Sequence, residues 1–301
     1  MPPANGSSAR MPSFGRNPSA VLPRTIRYGG RSRVSMVADI PFEPHRFESA
    51  AAYYLAGRPP YAALLIRRVA ALCGLRRSHR VLDLGCGPGQ LALAFAPLAK
   101  RVTAIDPEPE MLRIAAASAA AAGLDIKFIQ GSSYDLAPAL GRYRLVTIGR
   151  AFHWMDRADT LARLDTIIEP AGAIALFADR HPQVPDNRWR IEFEKLIERY
   201  IDGDSHRRKR KSPDWLRHEA FLLASAFTHL ERISVIERRQ VSIDGLVDRV
   251  FSMSSTSPGK LGARAEHLAA EVRAAMQPFA RSGQITEVVE SEALVARRAG
   301  V

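Results

Sequence analysis

Residues 81–89 read VLDLGCGPG, in which an apolar run is followed directly by a turn with three glycines. The apolar run is typical of a buried strand, and the residues from Gln90 onward fit a helix. Glycine permits positive φ angles and leaves room for a ligand against the backbone, and the start of a helix offers unpaired N–H donors. We therefore predict a strand, a ligand-binding loop and a helix, and a purely structural turn is the alternative.

The sequence on both sides of this loop alternates between strand and helix patterns, as in repeated βαβ units. The predicted strands are residues 81–84, 102–105, 126–129, 145–148, 173–177 (after a turn at 170–172), 233–241 and 285–295. The predicted helices are one that opens at Pro60 and residues 90–99, 107–123, 157–168, 188–201, 215–226, 243–252 and 263–276. We predict an α/β fold, in which a Rossmann-like, mostly parallel sheet has helices on both faces and a helical lid insertion after residue 178.

The net charge of +12 is concentrated in two short segments of the 301 residues. Residues 1–35 contain six Arg and no Asp or Glu, and residues 206–211 contain five Lys or Arg. Because the rest of the chain is nearly neutral, the charge does not indicate a nucleic-acid-binding surface over the whole protein. The usual explanation of the run at 206–211 is a solvated loop within the lid, and attraction of an acidic substrate or a nucleic acid is the alternative.

Residues 1–40 are rich in Ser, Pro, Gly and Arg and show no hydrophobic period, which predicts a disordered segment. We assign residues 41–301 to one domain, with a core at 45–180 and a lid and sheet-completing part at 181–301. No run of 18 apolar residues predicts a membrane span, and only Cys73 and Cys86 are present, so we predict a cytoplasmic protein without a disulfide framework or a metal site. The Arg-rich start leaves targeting to an organelle as an alternative.

Asp106 ends the second predicted strand, at the distance from the loop where an acidic side chain bonds both hydroxyls of a bound ribose. The residue could also cap a helix that begins at Pro107. A dinucleotide usually requires glycine six positions into the turn, where this chain has Gln90, and Asp83 would repel a pyrophosphate but suit a cationic amino acid group. These features favour S-adenosylmethionine over a dinucleotide.

Three segments carry a resemblance to a known family: residues 81–90, residues 102–107 (VTAIDP) with Met111 and Leu112, and residues 151–156 (AFHWMD). Together they resemble the class I S-adenosylmethionine-dependent methyltransferases, and specifically the type 11 branch that includes enzymes similar to trans-aconitate methyltransferase. Residues 54–61 (YLAGRPPY) look like the Tyr, Arg-Pro, Tyr pattern of that branch. The resemblance covers about residues 47–177 and implies a seven-stranded, mostly parallel sheet whose last strand is antiparallel.

The resemblance also implies a set of cofactor-binding residues. Gly85, Cys86 and Gly87 are expected at the methionine part, Asp106 at the ribose, and Pro107 and Met111 at the adenine. Asp83 and Ala151 complete this set, together with Arg58, whose guanidinium would pair with the cofactor's carboxylate or else form a surface salt bridge. Family members often have an acid after the third strand for the adenine amino group, and here Ser132 or Ser133 would substitute, or Asp135 would serve from a shifted position.

His153 lies just past the fourth predicted strand, where the resemblance puts the methyl-transfer face. An imidazole can act as a base near neutral pH, and packing that holds the loop is the alternative. We predict a methyltransferase (EC 2.1.1.-) that acts on an oxygen or a carboxylate of a small molecule. The alternatives are a nucleic-acid methyltransferase and a binding protein of the same fold without catalytic activity.

Overall fold

The computed structural model describes residues 45–201 and 205–300, residue 43, and two short strands at Thr25–Ile26 and Val34–Ser35. Residues 1–37 and 38–301 form two units. In the first unit the two short strands pair antiparallel, so the prediction of no regular structure is wrong at these four residues. The rest of the predicted disordered segment, and with it the alternative of a targeting signal, lies outside the described residues.

The second unit contains a seven-stranded sheet in the order β3-β2-β1-β4-β5-β7-β6. The strands are β1 (Arg80–Leu84), β2 (Arg101–Asp106), β3 (Ile126–Gln130), β4 (Tyr143–Gly149), β5 (Ile168–Arg180), β6 (His229–Ser242) and β7 (Gln284–Arg297). Pairing is parallel from β3 to β5, and β7 runs antiparallel between β5 and β6. The predicted α/β fold and its seven strands are therefore confirmed.

The described residues form eleven helices: the eight that were predicted, two additional short helices and one additional helical turn. They are α1 (Ala51–Gly57), α2 (Ala63–Leu72), α3 (Gln90–Phe95), α4 (Pro109–Ala121), α5 (Arg157–Ile167), α6 (Trp189–Glu198), α7 (Ser205–Lys211), α8 (His218–Leu223), α9 (Ile243–Phe251), α10 (Pro258–Leu261) and α11 (Arg264–Met276). None of the helices in the described part of the chain is long and apolar enough to cross a membrane.

Four local predictions are corrected by the structure. The helix expected to open at Pro60 begins at Ala63, because Pro59 and Pro60 extend the chain before it. The helix expected from Pro107 begins at Pro109, with Glu108 rather than Asp106 at its N-cap. Residues 170–172, predicted as a turn, lie in a bulge of β5, because Tyr143 pairs with Ile168 and Leu145 with Ala173. The basic run, predicted as a loop, lies in α7.

The order of the strands creates a crevice at one edge of the sheet. β1 lies between β2 and β4, so the chain leaves β1 toward one side and returns to its other side at β4. Ligands of open α/β sheets bind at the carboxyl ends of the strands where the strand order reverses in this way. Val81, Leu82 and Leu84 are almost fully buried, which fixes the end of β1 and the loop that follows it.

A second apolar cluster, separate from the one under the sheet, is formed mainly by α6, α9, α11 and the start of β7. An ionic network lies beside it. Arg249 of α9 donates from both terminal nitrogens to Glu287 of β7, at 2.7 and 3.0 Å, and from Nε to the carbonyl of Gly57 at 3.1 Å. His181 lies 3.1 Å from the same carboxylate. The network holds the end of α1, and therefore the position of Arg58, against α9.

Close packing at Gly57 supports the same contact. A Cβ on Gly57 would lie 2.4 Å from the backbone of Asp248 in α9, so no larger residue fits there without displacing α1 or α9. Glycine is required at this position by the approach of two backbones.

Replacing Arg249 is expected to destabilise the protein. Arg249→Met leaves the buried Glu287 without its bidentate partner, which costs about 3–5 kcal/mol of unfolding free energy. Urea denaturation measures this value. Arg273→Met is the control, because the exposed Arg273–Asp244 pair contributes at most about 1 kcal/mol. Equal stabilities of the two variants would contradict the assignment.

The same network predicts the direction of a pH effect. Burial alone would raise the pKa of Glu287, but the hydrogen bonds from His181 and Arg249 and the charge of Arg249 lower it to about 2, from an ordinary value of 4.5. A lowered pKa in the folded state means that the stabilisation is complete above pH 4.5 and is lost as the pH falls toward 2. The wild-type advantage over Arg249→Met should therefore shrink across that window.

Candidate functional site

The loop after β1 has the backbone geometry that its glycines predict. Gly85, Gly87 and Gly89 have φ angles of +65°, +53° and +85°. The amides of Gly85 and Cys86 donate to the carbonyl of Ile105 at 2.8 and 3.0 Å, which ties the loop to the end of β2. A Cβ on Gly87 would meet only Met111 Sδ, at 4.0 Å, and would stand in the cavity that the loop borders. The loop therefore leaves open space where a ligand can approach its backbone.

Asp106 connects this loop to the segment before α4. One carboxylate oxygen accepts the amide of Gly87 at 2.7 Å, and the other accepts the amide of Glu108 at 2.9 Å. Burial raises the pKa of Asp106 to about 6, although both hydrogen bonds favour the charged form. The carboxylate borders the cavity, so its remaining lone pairs are available to a ligand.

The first cavity is defined as the space between the ends of β1, β2, β3 and β4. Of the residues predicted from the sequence, it is lined by Gly85, Gly87, Asp106, Pro107, Met111, Ser132, Ser133 and Ala151. Residues not predicted also line it, among them Phe47, Tyr54, Glu108, Tyr134, Arg150 and Trp154. Most of the predicted cofactor residues are thus brought together, although their individual roles stay predictions.

The loop after β3 keeps Asp135 out of the lining of the first cavity. The carboxylate of Asp135 accepts the amide of Ser132 at 2.7 Å and the hydroxyl of Ser132 at 3.0 Å, in a capping box of the short turn Ser133–Asp135. Asp135 is therefore occupied within its own turn and does not line the cavity, whereas Ser132 and Ser133 do.

Asp83 and Cys86 do not line the first cavity. The buried Asp83 accepts the hydroxyl of Thr147 and the amide of Ala92, both at 2.9 Å, and its burial raises its pKa to about 7. This carboxylate fastens β1 to β4 and α3. Burial also raises the pKa of Cys86 well above its ordinary value. The side chains of these two residues are therefore engaged within the fold, and the predicted place of Asp83 and Cys86 at the methionine part stays a prediction.

A second cavity adjoins the first and is larger, about 810 Å³ against about 130 Å³. Phe47, Tyr54, Arg150, Ala151 and Trp154 line both. Arg58 and His153 line the second cavity only. Arg58 does not border the first cavity, so its position does not support the predicted contact with the cofactor's carboxylate, which stays a prediction.

His153 is held in its neutral form. Burial lowers its pKa well below the ordinary value, and the charges of Arg210, His218, Arg157 and Arg58 lower it further. Nε2 of His153 lies 3.1 Å from Nη1 of Arg210, which can only donate, so this nitrogen is the acceptor. The lone pair that a general base would use is thus already engaged.

Arg150 is a site residue that the sequence analysis missed. It has a φ of +54°, which is strained for a residue other than glycine. Its guanidinium lies 4.4 Å from the ring centre of Tyr61 and bonds the side chains of Asp179 and Gln90 and the carbonyl of Pro59. Its place directly after β4, at the carboxyl edge of the sheet, is the signal that could have identified it.

Glu108 is a second missed residue. It is almost fully buried, it borders the first cavity, and its Oε2 has no hydrogen-bond partner among the described residues. A buried carboxylate oxygen without a donor is costly, so this atom is suited to accept a hydrogen bond from a ligand. Nothing in the sequence distinguished Glu108 from an ordinary first-turn acid.

Comparisons with known proteins indicate a methyltransferase domain in this chain. Residues 81–172 match a family model described as a methyltransferase domain. An uncharacterized methyltransferase of Mycobacterium tuberculosis is 27% identical over 219 residues, 71% of this chain and 80% of that protein. A structure from Anaeromyxobacter dehalogenans, provisionally described as a type II methyltransferase, covers 80% of this chain and 97% of its own, with a TM-score of 0.54 and 19% identity.

A more distant structure is a methyltransferase from Thiobacillus denitrificans solved with S-adenosyl-L-homocysteine. It covers 86% of this chain and 100% of its own at 18% identity, with a TM-score of 0.47.

The sheet order, the glycine loop and the methyltransferase-domain match at residues 81–172 support the predicted class, the class I S-adenosylmethionine-dependent methyltransferases. The methyltransferase-domain match also agrees with S-adenosylmethionine as the predicted cofactor. The closer resemblance to trans-aconitate methyltransferases and the cytoplasmic location stay predictions.

Asp106→Asn is expected to destabilise the protein even without ligand. Both carboxylate oxygens accept backbone amides, so an amide side chain must turn its NH₂ group toward one of these donors. The unfolding free energy should fall by about 1–3 kcal/mol, measured by urea denaturation. Asp125→Asn, which changes an exposed side chain, is the control and should be nearly neutral. Wild-type stability of Asp106→Asn would show that these two hydrogen bonds contribute little.

Proposed function

We propose that the chain transfers a methyl group from S-adenosylmethionine in the first cavity to an oxygen of a small molecule in the second. The observation that carries this proposal is the shared wall of Phe47, Tyr54, Arg150, Ala151 and Trp154. A donor in the first cavity and an acceptor in the second would meet beside these shared residues, at the ends of β1 and β4. Such positioning is the main catalytic requirement for a methyl group that is already activated.

The residues of the first cavity fit the cofactor. Gly87 leaves space for the methionine part, and Pro107 and Met111 offer an apolar surface to the adenine. Gly85 lines the same cavity, where its missing Cβ makes room for the side chain of Ala151. Asp106 and Glu108 both present carboxylate oxygens, of which Oε2 of Glu108 lacks a donor among the described residues. We assign the ribose hydroxyls to these two acids. When bound, the cofactor supplies a sulfonium methyl group, whose S–CH₃ bond breaks as the acceptor oxygen forms its bond to carbon.

The state of His153 favours an acceptor that needs no deprotonation. A hydroxyl acceptor must lose a proton during methyl transfer, and a neutral His153 whose Nε2 already accepts from Arg210 is a poor base. A carboxylate oxygen is ionised near neutral pH and attacks without losing a proton. We therefore place carboxylates first among the oxygen acceptors and assign His153 to holding the loop after β4.

A small acceptor also agrees with the shape of the site, because the second cavity is concave and lies between the sheet and α7–α8. The function is tested by calorimetry with S-adenosylmethionine, followed by a panel of carboxylic acids, alcohols and RNA with a radiolabelled methyl donor. Absence of cofactor binding at millimolar concentration would refute the proposal, and labelling of RNA alone would replace it with nucleic-acid methylation.

The assignment of the ribose is tested by Glu108→Gln and Asp106→Ala. Each removes a charged acceptor, so each should weaken binding of S-adenosylhomocysteine by about tenfold to a hundredfold in calorimetry. Glu110→Gln is the matched control, because this carboxylate pairs with Arg113 instead of bordering the cavity. Since the pKa of Asp106 is raised to about 6 by burial, wild-type affinity should also weaken as the pH falls below 6. Unchanged affinity of Glu108→Gln would exclude Glu108 from the ribose site.

The role of His153 is tested by His153→Gln. A glutamine keeps an acceptor for Arg210, so kcat for a carboxylic acid acceptor should fall less than about tenfold and should keep its pH profile. A general base contributes about 10²- to 10⁴-fold, so a loss of that size with a changed pH profile would restore His153 as the catalytic base.

A further inference from the structure

The second cavity has a cationic lining. Seven Arg or Lys side chains and three Asp or Glu side chains border it. Each acid is paired with an arginine of the same lining: Asp179 with Arg150, Glu219 with Arg232, and Glu292 with Arg180. His153 and His218 add no positive charge at neutral pH, because burial lowers the pKa of both, that of His218 to about 4. Lys211 pairs with Glu198, which lies outside the lining. With this pair included, seven cations face four acids, so the cavity retains an excess of positive charge.

Arg58 differs from the other arginines that line this cavity. It follows α1 as its C-cap residue, with its amide bonded to the carbonyl of Tyr54 at 2.9 Å. Its Nε is buried and has no hydrogen-bond partner among the described residues. Its Nη2 has a long contact of 3.4 Å to the carbonyl of Ser252. No carboxylate in the described part of the chain forms a salt bridge with it.

These two nitrogens belong to one edge of the Arg58 guanidinium. Nε and Nη2 are the donors that grip a carboxylate through two parallel N–H···O bonds. A buried donor without an acceptor is unfavourable. An anionic ligand would supply the missing acceptor at this edge of the guanidinium. Burial also lowers the pKa of Arg58, and the charge of Arg150 adds to this effect, while Tyr54 and Asp179 oppose it.

We propose that Arg58 anchors a carboxylate of the methyl acceptor, so that the second cavity selects anionic acceptors. This inference rests on the proposed function, which puts the cofactor in the first cavity and the acceptor in the second. Arg58 borders only the second cavity, and Tyr54, one helical turn before it, borders both. An acceptor held by Arg58 therefore extends past Tyr54 toward the glycine loop. Arg58 acts as a specificity residue and does not touch the transferred methyl group.

The test compares fumarate with fumaramide, two probes of closely similar shape that differ by two negative charges. Each is titrated by calorimetry into full-length protein saturated with S-adenosylhomocysteine. We expect fumarate to bind at least about tenfold more tightly than fumaramide to the wild type. Arg58→Met should remove this preference, whereas Arg58→Lys should keep part of it, because lysine retains the charge but not the paired geometry.

Two control variants separate a specific anchor at Arg58 from the general positive field of the cavity. Arg68→Met removes an exposed arginine of α2 outside the cavity and should leave both affinities unchanged. Arg217→Met removes another cation of the lining, and a loss as large as that of Arg58→Met would assign the preference to the general field and overturn the role of Arg58. Circular dichroism and the melting temperature establish that each variant is folded.

The outcomes distinguish this inference from the proposed function. Binding of S-adenosylhomocysteine with equal affinity for the two probes would overturn the inference and leave the cofactor site intact. A loss of S-adenosylhomocysteine affinity in Arg58→Met, with the probe preference unchanged, would return Arg58 to the cofactor's carboxylate. Failure of the wild type to bind S-adenosylhomocysteine would refute the proposed function itself. Once an acceptor is known, Arg58→Met should raise its KM at least about tenfold with a smaller change in kcat.

Discussion

The site depends on the hydrogen bonds that Asp106 accepts from the amides of Gly87 and Glu108. These two bonds join the loop after β1 to the segment before α4, and Ile105 adds two further backbone bonds to the same loop. The loop can turn toward Asp106 only because Gly85 and Gly87 adopt positive φ angles. One carboxylate thus fixes the shape of the first cavity and also borders it.

A second constraint fixes the boundary between the two cavities. Arg150 is held at a positive φ after β4, where its side chain bonds Asp179, Gln90 and the carbonyl of Pro59. It thereby connects β4, β5, α3 and the chain before α2. Such strain is stable because several contacts determine it together, and strained residues of this kind concentrate at functional sites. The lining that the two cavities share at Arg150 is therefore a rigid part of the fold.

The position of Arg58 links this site to the C-terminal half of the chain. Gly57 packs against the backbone of α9, and Arg249 bonds both its carbonyl and the buried Glu287 of β7. Residues about 190 positions apart in the sequence thus hold the first helix in place. The helices that follow β5 complete the second cavity through α7 and α8, so this cavity is built in part by residues far from the glycine loop in the sequence.

The sequence by itself determined the sheet, the cofactor loop and the class of protein, because strand periodicity and glycine-rich turns depend on short-range chemistry. It also identified Asp106, Pro107, Met111 and the two serines after β3 as residues of one cavity. It could not show that the side chains of Asp83 and Cys86 lie outside the first cavity or that Arg58 borders the second, since the direction of a side chain depends on the packing of distant elements. The positions of Arg150 and Glu108 and the division into two cavities became visible in the tertiary structure, because residues from distant parts of the chain line both cavities.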